Sequence, residues 1–128
     1  MIYSGLKTAI GANVTGYSNK VYPLIAPEGT ALPYATYQQL FTERIKTHDG
    51  YNKEGSMNYQ FNFYSSTFIA SKTAASQFIE YFKNFRGALG TDNIQDVEVL
   101  NEFDDMDYVG SVARYRTIVE IKFHYNEP

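Results

Sequence analysis

The sequence predicts an α+β fold in which a four-stranded antiparallel sheet carries two helices on one face, in the order α-β-β-α-β-β. Three observations carry that prediction. Residues 57–64 alternate strictly, with Met57, Tyr59, Phe61 and Phe63 on one face and Asn58, Gln60, Asn62 and Tyr64 on the other, the period of a strand with one buried face. Residues 71–89 change to the helical period, placing Ala74, Ala75, Phe78, Ile79, Phe82, Phe85 and Leu89 on one broad stripe. Residues 113–125 alternate again, with Tyr115, Thr117, Val119, Ile121, Phe123 and Tyr125 set against Arg114, Arg116, Glu120, Lys122 and His124.

In chain order, Ile2, Leu6, Ile10 and Val14 recur every four residues, and Gly11 and Gly16 mark the decay of that face, so a short N-terminal helix is expected over 2–13. Pro23, Pro27 and Pro33 follow; each fixes φ and removes a backbone donor, so this stretch should cross a surface in extended form. The first strand covers 33–44, with Leu40 and Phe41 breaking its alternation at an expected bulge. Residues 47–55 are polar with two glycines and read as a long hairpin loop. After the second strand, Ser71 is the expected N-cap of the main helix and Gly87 or Gly90 its stop. The third strand is expected over 96–103, with Val97, Val99, Asn101 and Phe103 on one side, then an acidic turn at Asp104, Asp105, Met106 and Asp107. The fourth strand, 113–125, belongs in the sheet interior. No repeat, low-complexity tract or linker divides residues 1–128, which are expected to form a single domain.

Composition narrows the chemistry. The chain has no cysteine, which excludes disulfides and thiolate metal sites. Its 11 basic and 14 acidic residues give a net charge of −3 without a basic stripe, which argues against a dedicated nucleic-acid binder. Neither a signal-like N-terminus nor a run of about 18 apolar residues occurs, so synthesis in the cytosol and no membrane contact are expected. The 12 Tyr and 9 Phe fit two readings: surfaces that are dry in an assembly and wet outside it, or simply a strand-rich protein.

Site chemistry is sparse. His48 and His124 have no second ligand at helical spacing, so no metal is expected. Asp104, Asp105 and Asp107 lack the later ligands of a calcium loop. Glu98, Glu102 and Glu120 alternate with apolar residues and should lie on the open face of the sheet, where water keeps carboxyls ordinary. Gly87 and Gly90 make no phosphate cradle, and no serine has a motif-placed base. No catalytic residue and no cofactor are expected. Arg114 and Arg116 point opposite to Tyr115, unlike the shared face of an RNA-reading sheet. They are expected to pair with Glu98, Glu102 or an acid of a neighbouring subunit.

One string adds to this. Val21-Tyr22-Pro23, then Pro27, Gly29, Pro33-Tyr34 and Tyr37-Gln38, between a short helix and a long hairpin, resembles the tail-completion or tail-terminator family of long-tailed bacteriophages and gene-transfer particles. The resemblance extends through the Asp49-Gly50 hairpin and the strand-to-helix passage to the terminal strand. It departs in the polar Gln39 and Thr42 and in Phe68-Ile69-Ala70 ahead of the helix. It implies a structural virion protein, not an enzyme, that caps the tail tube as a homo-oligomeric ring, commonly of six copies, and joins the tail to the head or neck. The implied partners are the major tail-tube protein and a head-completion or neck protein, with DNA only in transit through the lumen. The implied location is the neck, after assembly in the host cytoplasm. Partner contacts then fall on His48, Asp49, Gly50, Tyr51, Asn52, Lys53 and Glu54, on Asp104, Asp105 and Asp107, and on Arg114 and Arg116. Three alternatives stay open: a head-completion or neck adaptor ring, a monomeric ligand- or nucleic-acid-binding module, and a small enzyme of ferredoxin-like build.

Overall fold

The computed structural model describes residues 2–48 and 50–126, without the side chains of Thr47, Tyr51 and Asn52. The elements are α1 (Tyr3–Asn13), β1 (Val21–Pro23), β2 (Tyr34–Thr47), β3 (Gly50–Ser65), α2 (Phe68–Phe82), β4 (Gly87–Leu89), β5 (Asp92–Val109) and β6 (Val112–Asn126).

The expected four-stranded antiparallel sheet is corrected by two short strands. The sheet has six strands in the order β1-β2-β3-β6-β5-β4 and curves into a mixed half-barrel. It is mixed because β1 runs parallel to β2, with Val21, Tyr22 and Pro23 beside Ala35, Thr36 and Tyr37; the other ladders are antiparallel. β1 lies inside the proline connector, and three residues are too few for alternation to show in the sequence. Pro23 is tolerated there because β1 is an edge strand. β4 lies in what reads as the end of the long helix.

That helix is shifted. Thr67, not Ser71, caps α2, its hydroxyl accepting the Ala70 N–H at 3.2 Å. Ser71 is fully buried inside the helix, donating to the Phe68 carbonyl at 2.9 Å and lying 3.2 Å from the Thr117 hydroxyl. α2 ends at Phe82, yet the Phe85 ring still packs on Tyr81 and Phe82, with centroids 5.6 and 5.5 Å apart. The apolar stripe therefore outlasts the helix and lengthens its apparent period.

Both supposed loops are strand. β2 and β3 pair to Thr47 and Gly50, so residues 50–55 are strand in the end of a hairpin arm. Gly55 is a close-approach glycine: a Cβ there would lie 2.6 Å from the Glu43 carbonyl oxygen and 2.9 Å from the Tyr125 hydroxyl. Likewise the acidic stretch 104–107 lies within β5, and the turn is Gly110-Ser111, with Gly110 at φ 65°. A bulge between Val99 and Asn101 flips the rest of β5. Glu102 and Asp104 consequently share the helix side with their partners Val119 and Thr117, while Asn101 and Phe103 turn to the open face.

The core lies between the helices and the central pair β3 and β6. Met57, Tyr59, Phe61 and Phe63 of β3 face Thr117, Val119, Ile121, Phe123 and Tyr125 of β6, all buried. Phe78 sits over them, its ring 4.6 Å from Phe61, 5.1 Å from Phe63 and 4.8 Å from Phe82. Ile2, Leu6, Ile10 and Val14 are buried as one face of the N-terminal segment.

Candidate assembly surfaces

Pairing registers put the predicted contact residues at opposite ends of the sheet. Glu54 lies level with Asn126 at one end, and Ser65 with Tyr115 at the other. His48, Lys53 and Glu54 are exposed at the first end, where Gly50 opens β3. Asp49 and the side chains of Tyr51 and Asn52 lie outside the described residues. Asp105, Asp107, Arg114 and Arg116 gather at the second end.

There the arginines do not pair with Glu98 or Glu102. Arg114 faces Asp107 and Arg116 faces Asp105 across β5 and β6. Arg114 forms a two-pronged pair, Nε to Asp107 Oδ1 at 2.8 Å and Nη2 to Oδ2, and its Nη1 donates to the Tyr34 hydroxyl at 2.7 Å. Arg116 Nη2 donates to Asp105 Oδ2. Both guanidinium groups lie over the Tyr64 ring, at 4.7 and 5.8 Å from its centroid. The hydrogen bond from Arg114 holds the Asp107 carboxyl below its ordinary value. For Asp105 the Met106 N–H contributes most to the same downward shift, followed by Arg116. Asp107 in turn raises Arg114 above the ordinary guanidinium value. On the helix side, Lys72 bridges Glu102 at 3.1 Å and Asp104 at 3.4 Å, and Asp104 accepts from the Thr117 hydroxyl at 2.9 Å. These charges are committed to cross-strand and helix-to-strand pairs, which position side chains without activating any of them.

Folding also gives His124 neighbours that sequence spacing does not reveal. Its Nε2 lies 3.1 Å from Glu98 Oε1, and ligand atoms of Asp96, Glu98 and His124 fall within 4.8 Å of one another. Asp96 is already paired with Arg86 at 3.0 Å, so the cluster is organised as one ion pair beside the His124–Glu98 contact.

The surface features missed in the sequence are apolar. Leu24 and Ile25 are 69% and 81% exposed, and Leu24 adopts φ 64°, its N–H donating to the Tyr37 carbonyl at 2.8 Å. A left-handed leucine is strained. Ile25, Pro27, Leu32, Tyr34, Val109 and Val112 line a groove of about 550 Å³ at the second end of the sheet. A second set lies where β2 and β5 run on past their short outer neighbours β1 and β4: Leu40, Phe41 and Ile45 on β2, and Val99, Leu100, Phe103 and Met106 on β5. The signal was present, since Leu24-Ile25 sits between two prolines and cannot join a helical or strand stripe.

No protein-family model and no curated protein matches the chain. Among solved structures, it is similar to a chain in the virion of a native gene transfer agent particle, with a TM-score of 0.70 at 12% identity over 98% of this chain and 97% of that one. At that identity the likeness establishes a shared fold, end to end.

Proposed function

We propose that this chain is a structural virion protein of a phage-like particle that caps the tail tube as a ring and joins the tail to the head or neck. The observation that carries the reading is the end-to-end fold likeness to a chain of a gene transfer agent virion, which agrees with the family resemblance of the Val21-Tyr22-Pro23 to Tyr37-Gln38 string. The distribution of surface features supports it. A ring between tube and head needs two contact faces, and the sheet carries exposed features at both ends: His48, Lys53 and Glu54 at one, the 104–116 ion pairs with the Ile25 to Val112 groove at the other. The helix-free face bears Gln38, Gln60 and Glu120, and Arg114, Arg116 and His124 there face the acids Asp107, Asp105 and Glu98 of β5, a largely compensated surface that suits DNA in transit.

Under this reading the partners are further copies of the chain, six in the family pattern, the tail-tube protein and a neck protein; the role is assembly, not catalysis. The test is molar mass by light scattering on purified protein, followed by negative-stain imaging of the same sample alone and with tail tubes. A ring with a central hole, free or seated on tube ends, is the expected result. A monomer that leaves tube ends bare refutes the reading.

A further inference from the structure

We propose that copies of this chain join edge to edge, the β5 edge of one pairing antiparallel with the β2 edge of the next, so that one sheet runs on through successive subunits. This rests on the ring reading above and names the contact that closes the ring.

The two edges are long and open. β1 covers only Ala35–Tyr37 of β2, and β4 covers only Asp92–Ile94 of β5. Among the described residues, 38–47 of β2 and 95–109 of β5 therefore have no strand on their outer side. An open edge of about 15 residues spans about 50 Å, and proteins otherwise cover or blunt such an edge; on β5 the Val97, Glu102 and Met106 N–H groups are met by the side chains of Asp96, Asn101 and Asp105.

Strand direction permits the junction. The four long strands β2, β3, β6 and β5 alternate in direction. β2 and β5 therefore run opposite ways, and a neighbour related by rotation about a ring axis presents its β2 antiparallel to β5. The alternation continues across the junction without inverting a subunit. Such a contact uses two different surfaces, so it generates a ring when the rotation closes.

Charge selects this pairing over a two-fold one. Residues 95–109 carry six acids, Asp96, Glu98, Glu102, Asp104, Asp105 and Asp107, and no base, whereas 38–47 carry Arg44, Lys46 and a single acid, Glu43. Two β5 edges would bring together acids that are each already paired within their own subunit and offer one another no new partner, whereas the β2 edge brings bases. The apolar residues also match in height. Through the registers of β3 and β6, Gln39 is level with Val99 and Phe41 with Glu98. Leu40 and Phe41, exposed on one edge, therefore stand at the height of Val99 and Leu100, exposed on the other. Both strands carry a bulge at this height.

Because the chain has no cysteine, Leu40→Cys and Val99→Cys can be introduced singly and together and treated with a short bis-maleimide. The double variant is expected to give a ladder of linked species ending in one closed multimer, while each single variant stays unlinked. Dimers from the Val99→Cys single variant would mean two-fold pairing and overturn the proposal. An unlinked double variant in a sample that light scattering shows to be multimeric overturns the edge contact and leaves the ring. A chain that stays monomeric and unlinked at every concentration overturns both. Hydrogen exchange on the unaltered protein guards against a misfolded variant: outward amides of 95–101 should exchange at least about tenfold more slowly in the multimer than in dilute monomer, and equal rates refute the pairing.

Discussion

Phe78→Ala tests whether α2 is clamped onto β3 as the aromatic contacts require. Phe78 is 1% exposed, and its ring meets Phe61, Phe63 and Phe82 with centroids 4.6–5.1 Å apart. Truncation to alanine loses the burial of the ring and leaves a cavity walled by three other rings, which cannot collapse without tilting the helix; the cost is about 3–5 kcal/mol. Against a typical domain stability of about 5–15 kcal/mol, that is a large fraction of the total. With an unfolding entropy of about 2 cal/mol/K per residue, the same loss lowers Tm by about 10–20 °C. The assay is urea unfolding followed by tyrosine fluorescence and circular dichroism, with Ile69→Ala as control. Ile69 is on the same helix but 76% exposed, and should change stability by less than about 0.5 kcal/mol. A loss below about 1 kcal/mol for Phe78→Ala at unchanged m-value would refute the packing of α2 over the central strands.

Other outcomes follow from single contacts. Gly55→Ala drives a methyl against the Glu43 carbonyl and the Tyr125 hydroxyl and should destabilise by about 1–3 kcal/mol; a neutral change in urea unfolding would show that β2 and β6 do not crowd this point. The Asp105 and Asp107 carboxyls are held below 3.8 in the fold, so their contribution is complete above that value and lost as pH falls through their lowered folded values. Thermal unfolding from pH 5 to 2.5 should show a shallower decline in Asp107→Asn than in the unaltered protein; parallel curves would count against the Arg114 pair. At the alkaline end, burial pushes the Tyr59 phenol up to about 12, so stability is kept below the ordinary value of 10 and lost as pH rises through 12. Absorbance at the phenolate wavelength should then rise in two stages, the second coinciding with loss of circular dichroism; a single early stage would place Tyr59 in solvent.

Much of the core was legible because its periods are long. Met57 to Phe63 and Thr117 to Tyr125 alternate over several residues with one face buried throughout, and Ile2 to Val14 keep a helical step. What the sequence hid has three physical causes. β1 and β4 are three residues each and carry no measurable period. The bulge after Val99 reverses the facing of everything beyond it, so Glu102 and Asp104, read as open-face or turn residues, reach Lys72 on the helix side. And polar composition disguised strand as loop at both hairpins, because an arm exposed on both faces needs no apolar face to be a strand once its backbone is paired. The ion pairs of Arg114 and Arg116 were expected in kind but with the wrong acids, for the same reason of register.

The tyrosine excess lies mostly inside the subunit. Tyr17, Tyr34, Tyr59 and Tyr125 are buried, and among the described side chains only Tyr3 and Tyr108 are largely exposed. Tyr34 stacks on Tyr64 at 4.8 Å, Tyr59 on Phe61 at 5.9 Å, and Tyr17 meets Phe63 edge-on at 5.8 Å. The tyrosines are thus largely consumed within the subunit, as core rings and as the platform beneath the two arginines. Apolar surface left for a partner is mostly aliphatic: Leu24 and Ile25 at one end, Leu40, Ile45, Val99 and Leu100 along the edges, joined by Phe41, Phe103 and Met106. Residues of this kind on open edge strands would promote indiscriminate pairing unless something opposed it. In the proposed edge contact, a second β5 would offer the internally paired acids of the first no new partner while the β2 edge brings Arg44 and Lys46, so the edge chemistry would favour the unlike neighbour over a like one.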